Sequence, residues 1–186
     1  MRTYNCLKQN KFQLNEYQLL PIRHEDILLI KNWRNAQIHK LRQLEPLTDE
    51  MQKKYFDEIV WPTFDMKQPP HVLFSYLCDD ECIGYGGIVH ISWQNFRAEV
   101  SFLLEPERAE SNELCSRDFS VFLELIKQIA FEDIGLNRLF TETYDFHPIH
   151  ISTLEECGFQ LEGRMQQHVL LDGEYHDSLI HGLLKE

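Results

Sequence analysis

Glu99 is the residue whose type and setting most call for chemistry. It stands in A-E-V-S-F-L-L-E-P, residues 98–106, a stretch that alternates as a central strand and breaks at Pro106. Ala98, Val100, Phe102 and Leu104 share one side of that strand, and Glu99, Ser101 and Leu103 share the other. A carboxylate in an apolar run is either a solvated or salt-bridged group or a general base at the mouth of a cleft. A second cluster, Trp33-Arg34-Asn35, closes a predicted helix. Its indole and guanidinium either frame an acceptor pocket or are a packed ring beside a surface charge.

The elements around Glu99 follow from periodicity and punctuation. Residues 17–22 read as a first strand with Pro21 at an edge, and residues 23–26 open a helix with Ile27, Ile30 and Trp33 at helical spacing. Thr48 caps a second helix over 49–60, with Met51, Tyr55, Phe56 and Ile59 as its buried stripe and Pro62 as its stop. Residues 63–70 then read as a loop. Strands at 71–77 and 82–91 flank the turn Asp79-Asp80-Glu81, and Trp93-Gln94-Asn95 delivers the chain into the strand of Glu99. The result is an antiparallel meander.

Gly84, Gly86 and Gly87 lie inside a strand, so they signal close backbone approach rather than a phosphate fingerprint. A long amphipathic helix spans about 112–132, with Phe119, Phe122, Leu123, Ile126, Ile129 and Ala130 on one stripe, and Ser111, Asn112 or Ser116 as its cap. Gly135 ends it before a strand at 137–143. A helix at 147–157, with Ser152 and Glu155 as a possible capping box, precedes two strands, 159–169 and 174–183, joined at Leu171-Asp172-Gly173.

A chain of 186 residues supports one domain with a substantial core, and 43% hydrophobic with 26% charged residues is ordinary globular composition. The net charge of −12 argues against a nucleic-acid binder that neutralises phosphates, and it suits a cationic or amine-bearing substrate. Five scattered cysteines without a C-x-x-C pair point to reduced thiols in a reducing compartment. No run reaches the length needed to span a bilayer, so the expectation is a soluble cytoplasmic protein without membrane partner.

The order of elements resembles the GNAT superfamily of acetyl-CoA-dependent acyltransferases. I-G-Y-G-G-I followed by A-E-V-S-F-L-L-E-P looks like the third and fourth strands of that family, and A-F-E-D-I-G-L-N-R-L like the end of its long helix and its fifth strand. The tail from Leu154 to Ile180 is similar to RimJ/RimL-type N-terminal acetyltransferases and their amino-sugar relatives. The opening I-R-H-E-D-I-L-L-I-K-N-W-R-N leans toward the amino-sugar branch, which includes pseudaminic-acid pathway acetyltransferases.

The resemblance implies an α+β fold: a mixed, mostly antiparallel sheet of six to seven strands flanked by about four helices. It makes residues 1–186 a single domain behind a polar lead, 1–16. It implies acetyl-CoA as co-substrate, no metal, and transfer to a small primary amine, an amino sugar or a protein N-terminus by direct attack in a ternary complex. A homodimer is a further expectation.

Glu99 then becomes the base, directly or through water; an ordinary glutamate pKa of about 4.3 makes it a weak base toward an ammonium. Backbone N–H groups around Phe102, Leu103 and Leu104 would bind the pantetheine arm and polarise the thioester carbonyl. Trp33, Arg34 and Asn35 become acceptor-side residues.

Two departures from the family pattern matter. The glycine-rich pyrophosphate loop after Pro106 is replaced by E-R-A-E-S-N-E-L-C-S-R-D, leaving Arg108, Ser116, Arg117 and the helix-start amides to hold phosphate. The tyrosine that often protonates the leaving thiolate is Leu154 here. His150 stands in as the candidate acid and His147 as a coenzyme-side neighbour, with Tyr144 and Tyr175 as other candidates. His147, His150 and Cys157 complete no metal ligand set. The glycine-free loop also leaves a second reading: a GNAT-shaped binding or regulatory module with weak or lost turnover.

Overall fold

In the computed structural model, which describes residues 2–41 and 43–186, two tight turns fix the hairpins that frame the sheet. Asp79 and Asp80 take φ of 49° and 65°, and Asp172 and Gly173 take 50° and 85°. Consecutive left-handed residues match the right-handed twist of the flanking strands, and Asp and Gly tolerate that backbone best. The first turn joins β3 (Val72–Cys78) to β4 (Glu81–Ser92), and the second joins β7 (Gln160–Leu171) to β8 (Glu174–Leu184). With β1 (Phe12–Leu14), β2 (Tyr17–Pro21), β5 (Arg97–Leu104) and β6 (Arg138–Tyr144) they form one sheet in the order β1-β2-β3-β4-β5-β6-β8-β7.

Every neighbouring pair is antiparallel except β5 with β6. The sheet has eight strands where the sequence predicts six to seven, because the polar lead itself supplies β1 and buries Tyr4 and Phe12. Two isolated aromatics in a polar stretch show no period, yet each closes the edge of the core.

The helices are α1 (Ile27–Ala36), α2 (Asp49–Tyr55), α3 (Pro106–Glu110), α4 (Asn112–Lys127) and α5 (Pro148–Glu156). They lie on both faces. Ser75 of β3 bonds Asp26 at the start of α1 on one face, while Tyr76, its neighbour, sends its hydroxyl to the Asp118 carbonyl of α4 on the other. Phe119, Phe122, Leu123 and Ile126 form the buried stripe of α4. Gly86 of β4 is where this packing is closest: a Cβ there would lie 2.2 Å from the Ser101 carbonyl oxygen and 2.8 Å from the Phe122 ring.

Several local expectations shift. α2 runs on through a widened turn, Phe56–Val60, and a tight one, Trp61–Asp65, with Pro62 at the start of the latter instead of ending the helical path. Its buried residues are Gln52, Phe56 and Val60, whereas Met51, Tyr55 and Ile59 are exposed. The buried side of α2 is one position further round than its most apolar stripe. Ser111 is the cap of α4, accepting from the Leu114 amide, and α4 continues through a widened turn to Gly135 at φ 84°. α5 is not opened by a capping box: Ser152 bonds the Ile149 carbonyl inside the helix. Among the described residues no helix is long and apolar enough to cross a membrane.

Candidate active site

The parallel pairing of β5 with β6 covers only Arg97–Glu99 against Arg138–Phe140, after which the two strands part. β5 continues along β4 to Leu104, while β6 continues along β8 to Tyr144. The gap between them opens a cleft of about 340 Å³. Its walls are β5 from Glu99 to Leu104, β6 from Glu142 to Tyr144, the start of α5 at His147 and His150, and Gln37, Lys40 and Leu41 after α1.

Which backbone groups face the gap follows from strand parity. The Glu105 amide bonds the Ile83 carbonyl, so residue 105 faces β4, and residues 104 and 102 face away from it into the cleft. The Leu104 carbonyl indeed accepts from Gln37 Nε2 at 2.8 Å. Phe102 and Leu104 therefore turn their peptide groups into the gap, and Leu103 turns its own toward β4. This narrows the expected Phe102–Leu104 set to its first and last members. An extended amide chain fits such an edge as an added strand would.

Glu99 lies on the α1 face of β5, its side chain 16% exposed, at the point where the strands part. Its Oε2 is 2.7 Å from Nδ1 of His90, whose side chain is 73% exposed. His90 also lines the cleft.

On the far wall, Phe102 stacks on Phe119 with ring centroids 4.6 Å apart, and His150 lies 5.0 Å from Phe119 and 5.3 Å from His147. Burial pushes the His150 imidazole down to about 4, helped by His147 and Lys40; burial and the Lys40 charge bring His147 down to about 4 as well. Both rings are neutral at pH 7. In this apolar wall beside Lys40, His150 enters the cleft as a neutral imidazole, which weighs against its expected role as the acid. Leu154 is fully buried in the core, Tyr175 is exposed on the β7–β8 hairpin, and Tyr144 lines the cleft.

The stretch after Pro106 folds as α3 and the capped start of α4, and its charges serve the fold. Arg108 donates to Glu105 at 3.0 Å and to Asp118 Oδ2 at 2.8 Å, and Asp118, fully buried, also accepts from Tyr17 at 2.8 Å. Arg108 is therefore a bridge to a buried carboxylate, not an open phosphate ligand. Ser116 receives the Thr153 hydroxyl at 3.1 Å, tying α4 to α5. Arg117 is exposed, with Nε 3.5 Å from Asp118, and of the expected phosphate groups its guanidinium is the most open to solvent. Of the expected coenzyme-side residues, Phe102, Leu103, Leu104 and His147 line the cleft, whereas Arg108, Ser116 and Arg117 do not.

The three expected acceptor-side residues lie outside the cleft. Trp33 is buried in the core, Arg34 donates to Gln43 at 3.0 Å and Tyr85 at 2.7 Å, and Asn35 ties down Leu47 from both sides of its amide. None of the three lines the cleft. Ile30 and Trp33 form the buried side of α1, and the next two residues are used to fasten the connection to α2.

Sequence reasoning missed His90, Gln37, Lys40 and Glu142, which all line the cleft. Gln37, just past the helix end, carries no periodic signal, and His90 is hidden by the register shift between Val89 and Ser92. Among the described residues no group of three or more His, Cys, Asp or Glu is placed to hold a metal ion.

The family model of an acetyltransferase (GNAT) domain matches residues 19–180. Among solved structures, the spermidine N-acetyltransferase of Vibrio cholerae in complex with CoA and spermine superposes with a TM-score of 0.76 at 17% identity, covering 92% of this chain and 96% of that one. A dodecameric structure of spermidine N-acetyltransferase from Vibrio cholerae gives 0.74 at 18% identity, over 92% and 95%. At such identities these likenesses speak for the fold. No curated protein matches the chain significantly in sequence. With the family match over most of its length and a splayed cleft at the centre of its sheet, the chain belongs to the GNAT family of acetyl-CoA-dependent N-acetyltransferases.

Proposed function

We propose that the protein acetylates a primary amine of a small cationic molecule in the β5–β6 cleft, with Glu99 taking the amine's proton. The observation that carries this reading is the joint presence, on one cleft, of a carboxylate at the point of splay and a strand edge whose peptide groups face the gap. Glu142 adds a second carboxylate to the lining, and the net charge of −12 favours a cationic acceptor over an anionic one. The kinship read from the tail with RimJ/RimL-type and amino-sugar enzymes belongs to this proposal, as does a polyamine acceptor like that named for the Vibrio cholerae enzyme. Five free cysteines suit a reducing cytoplasm.

Acetyl-CoA, when bound, supplies the acetyl thioester. The N–H groups of Phe102 and Leu104 polarise its carbonyl at the strand edge, where negative charge develops. Glu99 accepts a proton from the ammonium, directly or through water, so that the neutral amine attacks. His150 and His147, as neutral rings, donate hydrogen bonds toward the sulfur side of the cleft and exclude water. Tyr144 is the proton-bearing hydroxyl on that wall and takes the acid role that His150 lacks. The turnover-free module finds no support in the family match or the site.

The test is thiol release from acetyl-CoA against a panel of spermidine, amino sugars, amino-sugar nucleotides and peptides with free N-termini. We expect turnover with a small di- or polyamine or an amino sugar, and a Glu99→Gln variant slower by about 10²-fold or more with acetyl-CoA affinity little changed. Turnover only with peptides overturns the acceptor class. Wild-type rates in Glu99→Gln across the pH range overturn the base.

A further inference from the structure

His90 reaches Glu99 only because the chain breaks its own alternation. Val89 sits directly opposite Glu99 in the β4–β5 ladder, so the two share a face and a regular strand would turn His90 to the other one. The next paired residue on β4 is Ser92, opposite Arg97, which leaves His90 and Ile91 against Ala98 alone. This is a β-bulge. His90 takes φ of 50°, a left-handed conformation uncommon for residues with a side chain, though histidine enters it more readily than most. The bulge is anchored from outside: the Ile91 amide bonds the Pro70 carbonyl at 3.0 Å, and Trp93 Nε1 donates to the Pro69 carbonyl at 2.8 Å. An extra residue, an uncommon backbone and two anchors bring the His90 imidazole onto the face of Glu99.

We propose that His90 is the positioning residue of the Glu99 base: its Nδ1–H holds Oε2 and leaves Oε1 directed at the acceptor amine. This rests on Glu99 acting as base. A carboxylate only accepts hydrogen bonds, so against ionised Glu99 the proton sits on Nδ1. One fixed oxygen removes the free rotation of the carboxylate and orients the other for proton transfer. The other titratable groups around the pair are His71 ahead of β3, Arg97 on β5, Glu142 on β6, and Lys40, His147 and His150 across the cleft. Burial, with a smaller contribution from His90 nearby, holds His71 below its ordinary range.

The experiment is a double-mutant cycle on kcat with the best acceptor, using His90→Gly, His90→Asn and Glu99→Gln. Glycine keeps the left-handed backbone while deleting the ring, and asparagine keeps both that backbone and a donor at the place of Nδ1 but cannot ionise. We expect His90→Gly to lower kcat about tenfold, the scale of one lost hydrogen bond to a charged group, with the acetyl-CoA KM unmoved. His90→Asn should recover most of that loss, because its amide restores the donor to Glu99. On a Glu99→Gln background, His90→Gly should add nothing.

Wild-type kcat in His90→Gly, alongside a slow Glu99→Gln, overturns the role of His90 and leaves Glu99 standing. An equal loss on both backgrounds also overturns it, because the ring would then act apart from Glu99. Wild-type kcat in Glu99→Gln marks the failure of the base reading itself. An unchanged melting temperature in His90→Gly separates loss of function from loss of fold.

Discussion

The two ends of the cleft use charge in opposite ways. At the acceptor end, Glu99 and His90 form a short contact that the backbone departs from regularity to make, and the pair faces a guest. At the phosphate end, Arg108, Asp118 and Tyr17 form an equally short network that faces inward and holds α4 onto β2. A similar set of side chains serves chemistry in one place and fold in the other. What separates them is which atoms remain turned toward the gap, and no count of charged residues reveals that.

The comparison is broken or sharpened most strongly at Asp118. Asp118→Ala leaves Arg108 and the Tyr17 hydroxyl without their buried partner, and should cost about 3–5 kcal/mol of stability, roughly 10 °C in melting temperature. A variant that melts normally but binds acetyl-CoA weakly would show that this end serves phosphate after all.

Next in size is the acid response of the far wall. His147 and His150 are depressed from the ordinary 6.5 to about 4 in the folded state, whereas the unfolded chain takes up protons at the ordinary value. The unfolded state therefore binds more protons between those limits, and stability falls as pH drops from 6.5 toward 4. Melting temperatures across that window should decline less steeply in a His147→Asn/His150→Gln variant than in the parent. Parallel curves would mean that the rings are already charged in the fold.

The smallest effect belongs to Arg117. As an exposed charge it contributes little, and Arg117→Ala should raise the acetyl-CoA KM about threefold, with the difference shrinking as salt is added. A salt-independent change would instead point to a structural role through Asp118.

Much of this molecule is legible in its sequence, and the illegible parts have physical causes. The strand of Glu99 is read from its alternation and from Pro106, and the hairpins from Asp79-Asp80 and Asp172-Gly173, because these patterns are local. The bulge at His90 is not local: one inserted residue reverses the face of a side chain, and only the register with β5 exposes it. Trp33, Arg34 and Asn35 carry attractive chemistry, but a helix of moderate amphipathicity does not say which of its sides meets a cleft. Gln52 is buried beneath α2 while the more apolar Met51 is exposed, because the helix rests on a narrow line of contact and Gln52 bonds the Ile27 carbonyl at 3.0 Å. The coenzyme edge at Phe102 and Leu104 uses peptide groups, which every sequence has; the parting of β6 from β5 is what makes them available.

That parting also has a mechanical side. β5 and β6 share three residue pairs of ladder, against seven on each flank, so the sheet is two plates joined along a thin seam. We expect the sheet to open along this line before either half is disturbed. In amide exchange the seam is where protection should be lost first, and binding along it should restore protection to both sides at once.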